Sequence, residues 1–382
     1  MDFSLSSEQH MLKDNLRRYM DANIAPLVAE CEKREEFAWD VLPGLAQFGC
    51  VGGPLSEAGG GLEMSYSDFA LVMEEAGYQW LSLRVVLNTI NIVGMLLDRF
   101  GTEDQKQRYL KPLLASEKKT WVAITEPNHG SNVAGLECRA VQDGDSYVIN
   151  GSKLWITNGI WGDFGILVAK THSATCDGKL SLFIIDREEC DFHTERVKTM
   201  FVRSTATSAL TFDDTVIPKE NLLGQEGEGL RAILTGLNFG RLNVSMGAVG
   251  AAQAALDLST EYAKTRKQFG RPIGSFQLVQ RLIVDMTVRT EAARMLGYRA
   301  ACDLDSGAPS RTACSIAKLY AAEAAHEVAS MALQVHGGMG YSTDYPIERI
   351  FRDTRGALIP EGTSEIQTLL IGREILGMSA FL

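Results

Sequence analysis

This 382-residue chain has little of what marks the specialised protein classes. Its seven cysteines (Cys31, Cys50, Cys138, Cys176, Cys190, Cys302 and Cys314) form no Cys-x-x-Cys pair, and its six histidines are equally dispersed. That spacing argues against a zinc or iron–sulfur site, and reduced thiols in a cytoplasmic protein are the natural reading. Positive charge is scarce: 37 Lys and Arg against 48 Asp and Glu give a net charge of −11. No basic run is dense enough for a nucleic-acid-binding face. No unbroken apolar run approaches the ~20 residues of a membrane span. The densest, Ile90 to Leu97, is interrupted by Asn91 and Gly94 and bounded by Asp98 and Arg99. Met1-Asp2-Phe3 leads directly into a helix signal, which argues against a signal or transit peptide. Internal repeats and low-complexity segments are absent as well. What is present is ordinary globular composition, 45% hydrophobic and 22% charged, at a length suited to two or three domains.

Periodicity divides the chain into three. Residues 1–120 read as helices. Ser6-Ser7-Glu8-Gln9 gives a capping box, followed by Met11, Leu12, Leu16 and Met20 at helical spacing. A second helix runs from Tyr66 to Glu75 and closes at Gly77; a third runs from Leu81 to Phe100 and closes at Gly101. Residues 121–225 read as short strands. Tyr147 to Thr157 predicts a hairpin turning at Asn150-Gly151, with further strands at Ile166–Ala169, Leu180–Ile185 and Ala209–Phe212, which suggests a small barrel or sandwich. Residues 226–382 are helical again and rich in alanine, as in a close-packed bundle. The fold class is therefore α+β, with a β domain inserted between helical ones.

Several segments carry candidate chemistry. Gly227-Glu228-Gly229-Leu230-Arg231-Ala232 matches a dinucleotide fingerprint in letters only, because no βαβ unit surrounds it. Thr125 to Asn132 is dense in small hydrogen-bonding groups that suit either a polar ligand or a plain turn. Trp155 and Thr157 lie two apart on a strand, where they would share a face as ligand platform or as core. Arg266 to Gln277 combines guanidinium, amide and aromatic groups; Gln334 to Gly340 is glycine-rich. Arg84 lies in an apolar helical run and needs a partner, either a surface acid or a ligand anion. Glu361 stands between Pro360 and Gly362, just ahead of a helix whose capping box would be Ser364 with Gln367 and whose buried face would be Ile366, Leu369 and Leu370. That setting can fix a carboxylate in a cleft, although a solvated loop glutamate has the same letters.

Taken in order, these segments resemble the acyl-CoA dehydrogenase family, from Phe3 to about Phe381. The resemblance implies a helical N-terminal domain, a central β domain and a C-terminal four-helix bundle. It implies FAD bound without a Rossmann fold, a homotetramer, and an electron-transferring flavoprotein as electron acceptor. By position it assigns Ile124, Thr125, Ser131, Trp155, Ile156, Thr157, Thr363 and Glu365 to the flavin, with Ser131 also at the thioester. Arg266, Gln268, Phe269 and Gln277 would hold the diphosphate and adenine across a subunit boundary, completed by Gln334, Gly337 and Gly338. Arg241 would lie near CoA and Gly362 beside the substrate, while Glu361 would be the base that removes the alpha proton. Some branches carry the base on the bundle helix instead, at the position of Gly240, which has no side chain here.

The stretch around Arg84 is similar to the glutaryl-CoA dehydrogenase branch, where an arginine meets the substrate's distal carboxylate; Pro360 and Asn132 depart from the family pattern. The expected activity is α,β-dehydrogenation of an acyl-CoA, short or carboxylated. Two alternatives stand beside it: action on an acyl group tethered to an acyl carrier protein, and a non-enzymatic flavin-binding scaffold.

Overall fold

The computed structural model describes residues 4–308 and 310–380. Phe3 and Phe381, the outer limits of the family-like stretch, lie outside them. The first helices are α1 (Ser7–Asn23), α2 (Ala25–Arg34), α3 (Leu42–Ala46), α4 (Tyr66–Gln79), α5 (Leu81–Phe100), α6 (Glu103–Gln105) and α7 (Lys111–Leu114). The capping box opens α1: Ser6 Oγ accepts from the Gln9 N–H, and Gln9 Oε1 accepts from the Ser6 N–H. Leu16 and Met20 then point into the core.

Gly77 does not close α4, which continues to Gln79. A Cβ at Gly77 would lie 2.1 Å from the Gly247 carbonyl oxygen, so this glycine lets two helices touch instead of ending one. α5 also corrects the reading by unbroken runs. It is the one described helix long and apolar enough to cross a membrane, yet 94% of its apolar window is packed inside the protein. The polar residues Arg84, Asn88 and Asn91 break its runs while leaving its mean hydropathy high.

The β domain is one eight-stranded sheet: β1 (Thr120–Ala123), β2 (Arg139–Asp143), β3 (Ser146–Ile156), β4 (Phe164–His172), β5 (Asp177–Asp186), β6 (His193–Arg196), β7 (Ser208–Pro218) and β8 (Leu222–Leu223). The strand order is β6-β7-β3-β2-β4-β5-β8, with β1 parallel to β4. Asn150-Gly151 is not a hairpin turn. β3 runs straight through it, and the register against β7 slips between Ile149 and Gly151. Gly151 has φ +141 and leaves no room for a Cβ, which would meet Cys138 Cα at 2.8 Å. Asn-Gly is therefore a bulge, and the chain reverses at Gly144, between β2 and β3.

The C-terminal domain holds α8 (Gly229–Thr265), the small pair β9 (Lys267–Gln268) and β10 (Arg271–Pro272), α9 (Gln277–Asp305), α10 (Arg311–His336), α11 (Ile347–Gly356) and α12 (Ser364–Leu376). Buried alanines line the α8 and α10 faces: Ala251, Ala252, Ala255, Ala321, Ala325 and Ala329. One core cluster joins the N-terminal helices to α8 and to one sheet face, and a second fills the bundle. Glycines bring α8 close to its neighbours, since a Cβ at Gly250 would sit 1.9 Å from the Glu74 carbonyl oxygen.

Replacing Gly77 by Ala should therefore cost about 1–3 kcal/mol through overpacking against backbone that cannot yield. Gly372→Ala, where nothing lies within 4 Å, should instead raise stability by about 0.5–1 kcal/mol. Thermal or denaturant unfolding of the two variants checks the contrast.

Candidate active site

The connection from α11 to α12 carries Glu361 with φ +59, in the left-handed region. For a residue with a side chain that conformation costs on the order of 1–2 kcal/mol, so the surroundings must hold it. Three buried side chains do. Lys318 Nζ, on α10, donates to the carbonyls of Leu358 and Gly362, each at 2.9 Å. Gln367 Nε2 donates to the carbonyls of Glu361 and Gly362, also at 2.9 Å. Arg241 Nε, on α8, donates to the Glu361 carbonyl at 3.2 Å.

Gln367 thus corrects the capping reading. The N-cap is Thr363, whose hydroxyl accepts from the Ile366 N–H. The cap lies one residue earlier and no box forms, because the third helical residue is Ile366; the fully buried Gln367 amide serves the turn instead. Ile366, Leu369 and Leu370 are only half-buried.

The Glu361 carboxyl is aimed between α5 and α8. Its Oε1 accepts from Asn88 Nδ2 at 3.0 Å, and Asn88 Oδ1 accepts from Asn243 Nδ2 at 2.9 Å. Gly240 makes the space: a Cβ there would lie 2.8 Å from Glu361 Cδ. Burial raises the Glu361 pKa, opposed first by the Asn88 hydrogen bond and then by Arg241, Arg84 and Lys318. Burial in turn lowers the Lys318 ammonium to about 8.

Arg84 does not snorkel. It is 1% exposed, one turn before Asn88 on α5, and its Nε and Nη2 have no hydrogen-bond partner. Gly247 gives its side chain room, since a Cβ there would meet Arg84 Cγ at 2.6 Å. Burial lowers this guanidinium to about 10, with Glu361 and Asp353 acting in its favour. Arg84, Asn88, Gly240, Arg241, Asn243, Lys318 and Glu361 therefore converge on one region.

The residues read as flavin contacts fall into two groups. At the β domain, the Leu154 N–H donates to the Thr125 carbonyl at 2.9 Å, and the buried Lys153 Nζ donates to the Ile124 carbonyl at 2.9 Å. These bonds place Ile124 and Thr125 beside Trp155–Thr157. Lys153 also pairs with Glu126 at 2.8 Å, which pins the start of the loop to the exposed Ser131. Trp155 and Thr157 do not follow strict strand alternation, because Trp155 has φ +65 at a second slip in register. Its indole is 55% exposed while Ile156 is buried.

The other group lies at the far end of the bundle. Arg266, Gln268, Phe269 and Gln277 stand on the connection from α8 to α9, and Gln334, Gly337 and Gly338 at the end of α10; all are exposed. No hydrogen bond among the described residues joins the two groups within one chain. Thr363 and Glu365 sit at the start of α12, beside the Glu361 turn. An open indole backed by backbone and hydroxyl groups suits a flat, polar-edged ring, so the first group fits a flavin. Among the described residues, no group of three or more His, Cys, Asp and Glu is placed to hold a metal.

Asn88, Asn243 and Lys318 were not picked out from the sequence. The argument applied to Arg84, that a polar group inside an apolar helix needs a partner, reaches each of them equally.

Comparison with known proteins agrees along the whole chain. Family models match residues 6–117 (Acyl-CoA dehydrogenase, N-terminal domain), 122–215 (middle domain) and 227–376 (C-terminal domain). The short-chain-specific acyl-CoA dehydrogenase of Clostridium acetobutylicum is 36% identical over 98% of this chain and 100% of that protein. The structure of the glutaryl-coenzyme A dehydrogenase glutaryl-CoA complex superposes with a TM-score of 0.93 at 34% identity, covering 99% of this chain and 97% of the other. The prolyl acyl carrier protein oxidase AnaB gives 0.92 at 30% identity, over 98% and 100%.

Substituting Lys318 by Met keeps the apolar stem and removes both hydrogen bonds, leaving the Leu358 carbonyl unsatisfied at about 1–3 kcal/mol and the Gly362 carbonyl with its Gln367 bond alone. Amide hydrogen exchange should accelerate selectively across 358–367, with little change in the β domain.

Proposed function

We propose a specific role for a chain that belongs to the acyl-CoA dehydrogenase family: α,β-dehydrogenation of a short acyl thioester bearing a distal carboxylate, with Glu361 as base. The protein is an oxidoreductase of an FAD-dependent family, and one neighbour is a glutaryl-CoA dehydrogenase in complex with FADH2. The observation that carries the finer reading is a half-buried carboxyl beside a fully buried guanidinium. The Glu361 carboxyl is held in the cleft, and one turn from its Asn88 partner lies an arginine with unpartnered nitrogens.

Bound FAD supplies the acceptor for the hydride that leaves the beta carbon. This chain's residues do the rest. The alpha proton of a thioester is weakly acidic, so the base must be both close and basic enough. Burial raises the Glu361 pKa and makes it the stronger base. The left-handed turn also orients the Glu361 backbone N–H, which by family resemblance donates to the thioester carbonyl as charge develops there. Arg84 offers Nε and Nη2 to the distal carboxylate, a bidentate geometry that a plain alkyl chain cannot answer.

Ile124, Thr125, Ser131 and Trp155–Thr157 would flank the ring, with Thr363 and Glu365. The exposed bundle-end group would serve the diphosphate and adenine of a partner subunit in a homotetramer. An electron-transferring flavoprotein is the proposed electron acceptor. A carrier-linked acyl group is the second reading, favoured by the likeness to the carrier protein oxidase.

Anaerobic bleaching of the flavin with butyryl-CoA, glutaryl-CoA and carrier-linked acyl groups discriminates among these readings. Glutaryl-CoA should bleach fastest. Arg84→Ala should lower kcat/KM for glutaryl-CoA by at least about 100-fold while sparing butyryl-CoA; equal losses on both substrates would remove the carboxylate assignment. Glu361→Gln should bind flavin and fail to bleach it. Because only the ionised carboxyl accepts the proton, the bleaching rate should fall as pH drops through a Glu361 pKa above the ordinary ~4.3 of glutamate. A limb at or below that value contradicts the burial argument.

A further inference from the structure

A carboxylate accepts hydrogen bonds and cannot donate them. With Glu361 ionised, Asn88 must present its Nδ2, as it does at 3.0 Å. That choice turns Asn88 Oδ1 towards Asn243, which must then present its own Nδ2, as it does at 2.9 Å. The polarity of the whole chain is thus set by the charge at one end. At the other end the buried Asn243 Oδ1 has no partner. An unpaired buried acceptor costs about 1–3 kcal/mol, so its place here needs a physical reason.

The reason lies in what happens to the base. Once Glu361 holds a proton, its hydroxyl is a donor and needs an acceptor. Turning both amides over about their terminal, roughly two-fold torsions gives that acceptor. Asn88 Oδ1 then faces Glu361, and Asn88 Nδ2 faces the previously unpartnered Asn243 Oδ1. Two hydrogen bonds exist in either sense; turning exchanges which Asn243 atom is left over, Oδ1 beside the carboxylate and Nδ2 beside the acid, so one unpartnered end is what a reversible chain of two amides requires.

We propose that Asn88 and Asn243 are positioning residues that form a two-state amide relay, keeping Glu361 hydrogen-bonded both as the carboxylate and, after it has taken the alpha proton, as the acid. The proton stays on Glu361 throughout; only hydrogen bonds change sense. The relay rests on the reading of Glu361 as base. The charged groups facing Glu361 are Arg84 from α5, Arg241 from α8 and Lys318 from α10, all favouring the anion. The Asn88 bond is the largest single influence in that direction, so it is the most sensitive place to intervene.

The test is a pH titration of the Glu361 carboxyl by difference infrared spectroscopy, with Glu361→Gln as blank, beside anaerobic flavin reduction. Asn88→Leu loses a charge-assisted bond to the carboxylate and a weaker neutral one to the acid; the difference should move the carboxyl midpoint and the acid limb up by about one unit, a tenfold slower rate below the limb. Asn243→Asp accepts only, so it forces Asn88 to turn its Oδ1 to Glu361 and should raise the midpoint further. In the Asn88→Leu background that extra shift should fall by at least half. An unmoved midpoint in Asn88→Leu, or an Asn243→Asp shift equally large without Asn88, overturns the relay. If Asn243→Asp does not fold, the Asn88→Leu shift decides alone. A Glu361→Gln protein that still reduces flavin defeats the base assignment itself, whereas an inactive Glu361→Gln together with unmoved midpoints in the asparagine variants defeats only the relay.

Discussion

Five hydrogen bonds from three buried side chains to the carbonyls of Leu358, Glu361 and Gly362 hold the turn that carries Glu361. The rest of the site depends on that clamp. A residue with φ +59 does not stay there unaided, and each clamping side chain comes from a different helix, so the turn forms only where α8, α10 and α12 meet. Lys318 and Gln367 are fully buried, and their donors have few other outlets. Burying them is tolerable because the turn supplies acceptors, and the turn is tolerable because they supply donors. The helices must also approach closely, which the glycines at 77, 240, 247 and 250 permit.

α5 shows how one helix serves two purposes. By composition it could cross a membrane, yet it is the packed centre of the fold. Each of its polar breaks has its own use. Asn91 ties α5 to the connection between α3 and α4, accepting from the Gly52 N–H and donating to the Cys50 carbonyl. Asn88 holds the carboxyl of Glu361. Arg84 keeps two nitrogens unpartnered. A polar residue in such a helix is costly unless satisfied, so three in eight positions mark where structure and chemistry share one element.

The sequence made much of this legible. The α–β–α order, the α1 capping box and the bounds of α5 follow from local chemistry, and the structure has them. The misreadings have a common cause: a local signal was overruled by a partner distant in sequence. Gly77 looked like a helix stop because its contact with Gly247 lies 170 residues away, and Asn150-Gly151 looked like a turn because the neighbouring Cys138 that fills the missing Cβ space was not in view. Gln367 had capping spacing, but its amide was drawn to the Glu361 turn. Glu361 itself was legible through Pro360 and Gly362. Its supporting shell was legible only in part: a polar group in an apolar helix marks Lys318, Asn88 and Asn243 as needing partners, but the partners appear only when three helices are brought together.

The central claim is that Glu361, held on this clamped turn, removes the alpha proton. Solvent exchange isolates that step from any hydride transfer. A substrate-like acyl-CoA thioester that cannot be oxidised at the beta carbon, incubated with the flavin-loaded protein in D2O, should exchange its alpha proton, as followed by NMR. With Glu361→Gln, exchange should fall to the uncatalysed rate while the ligand still binds. Exchange in that variant at the native rate would contradict the account and place the base elsewhere.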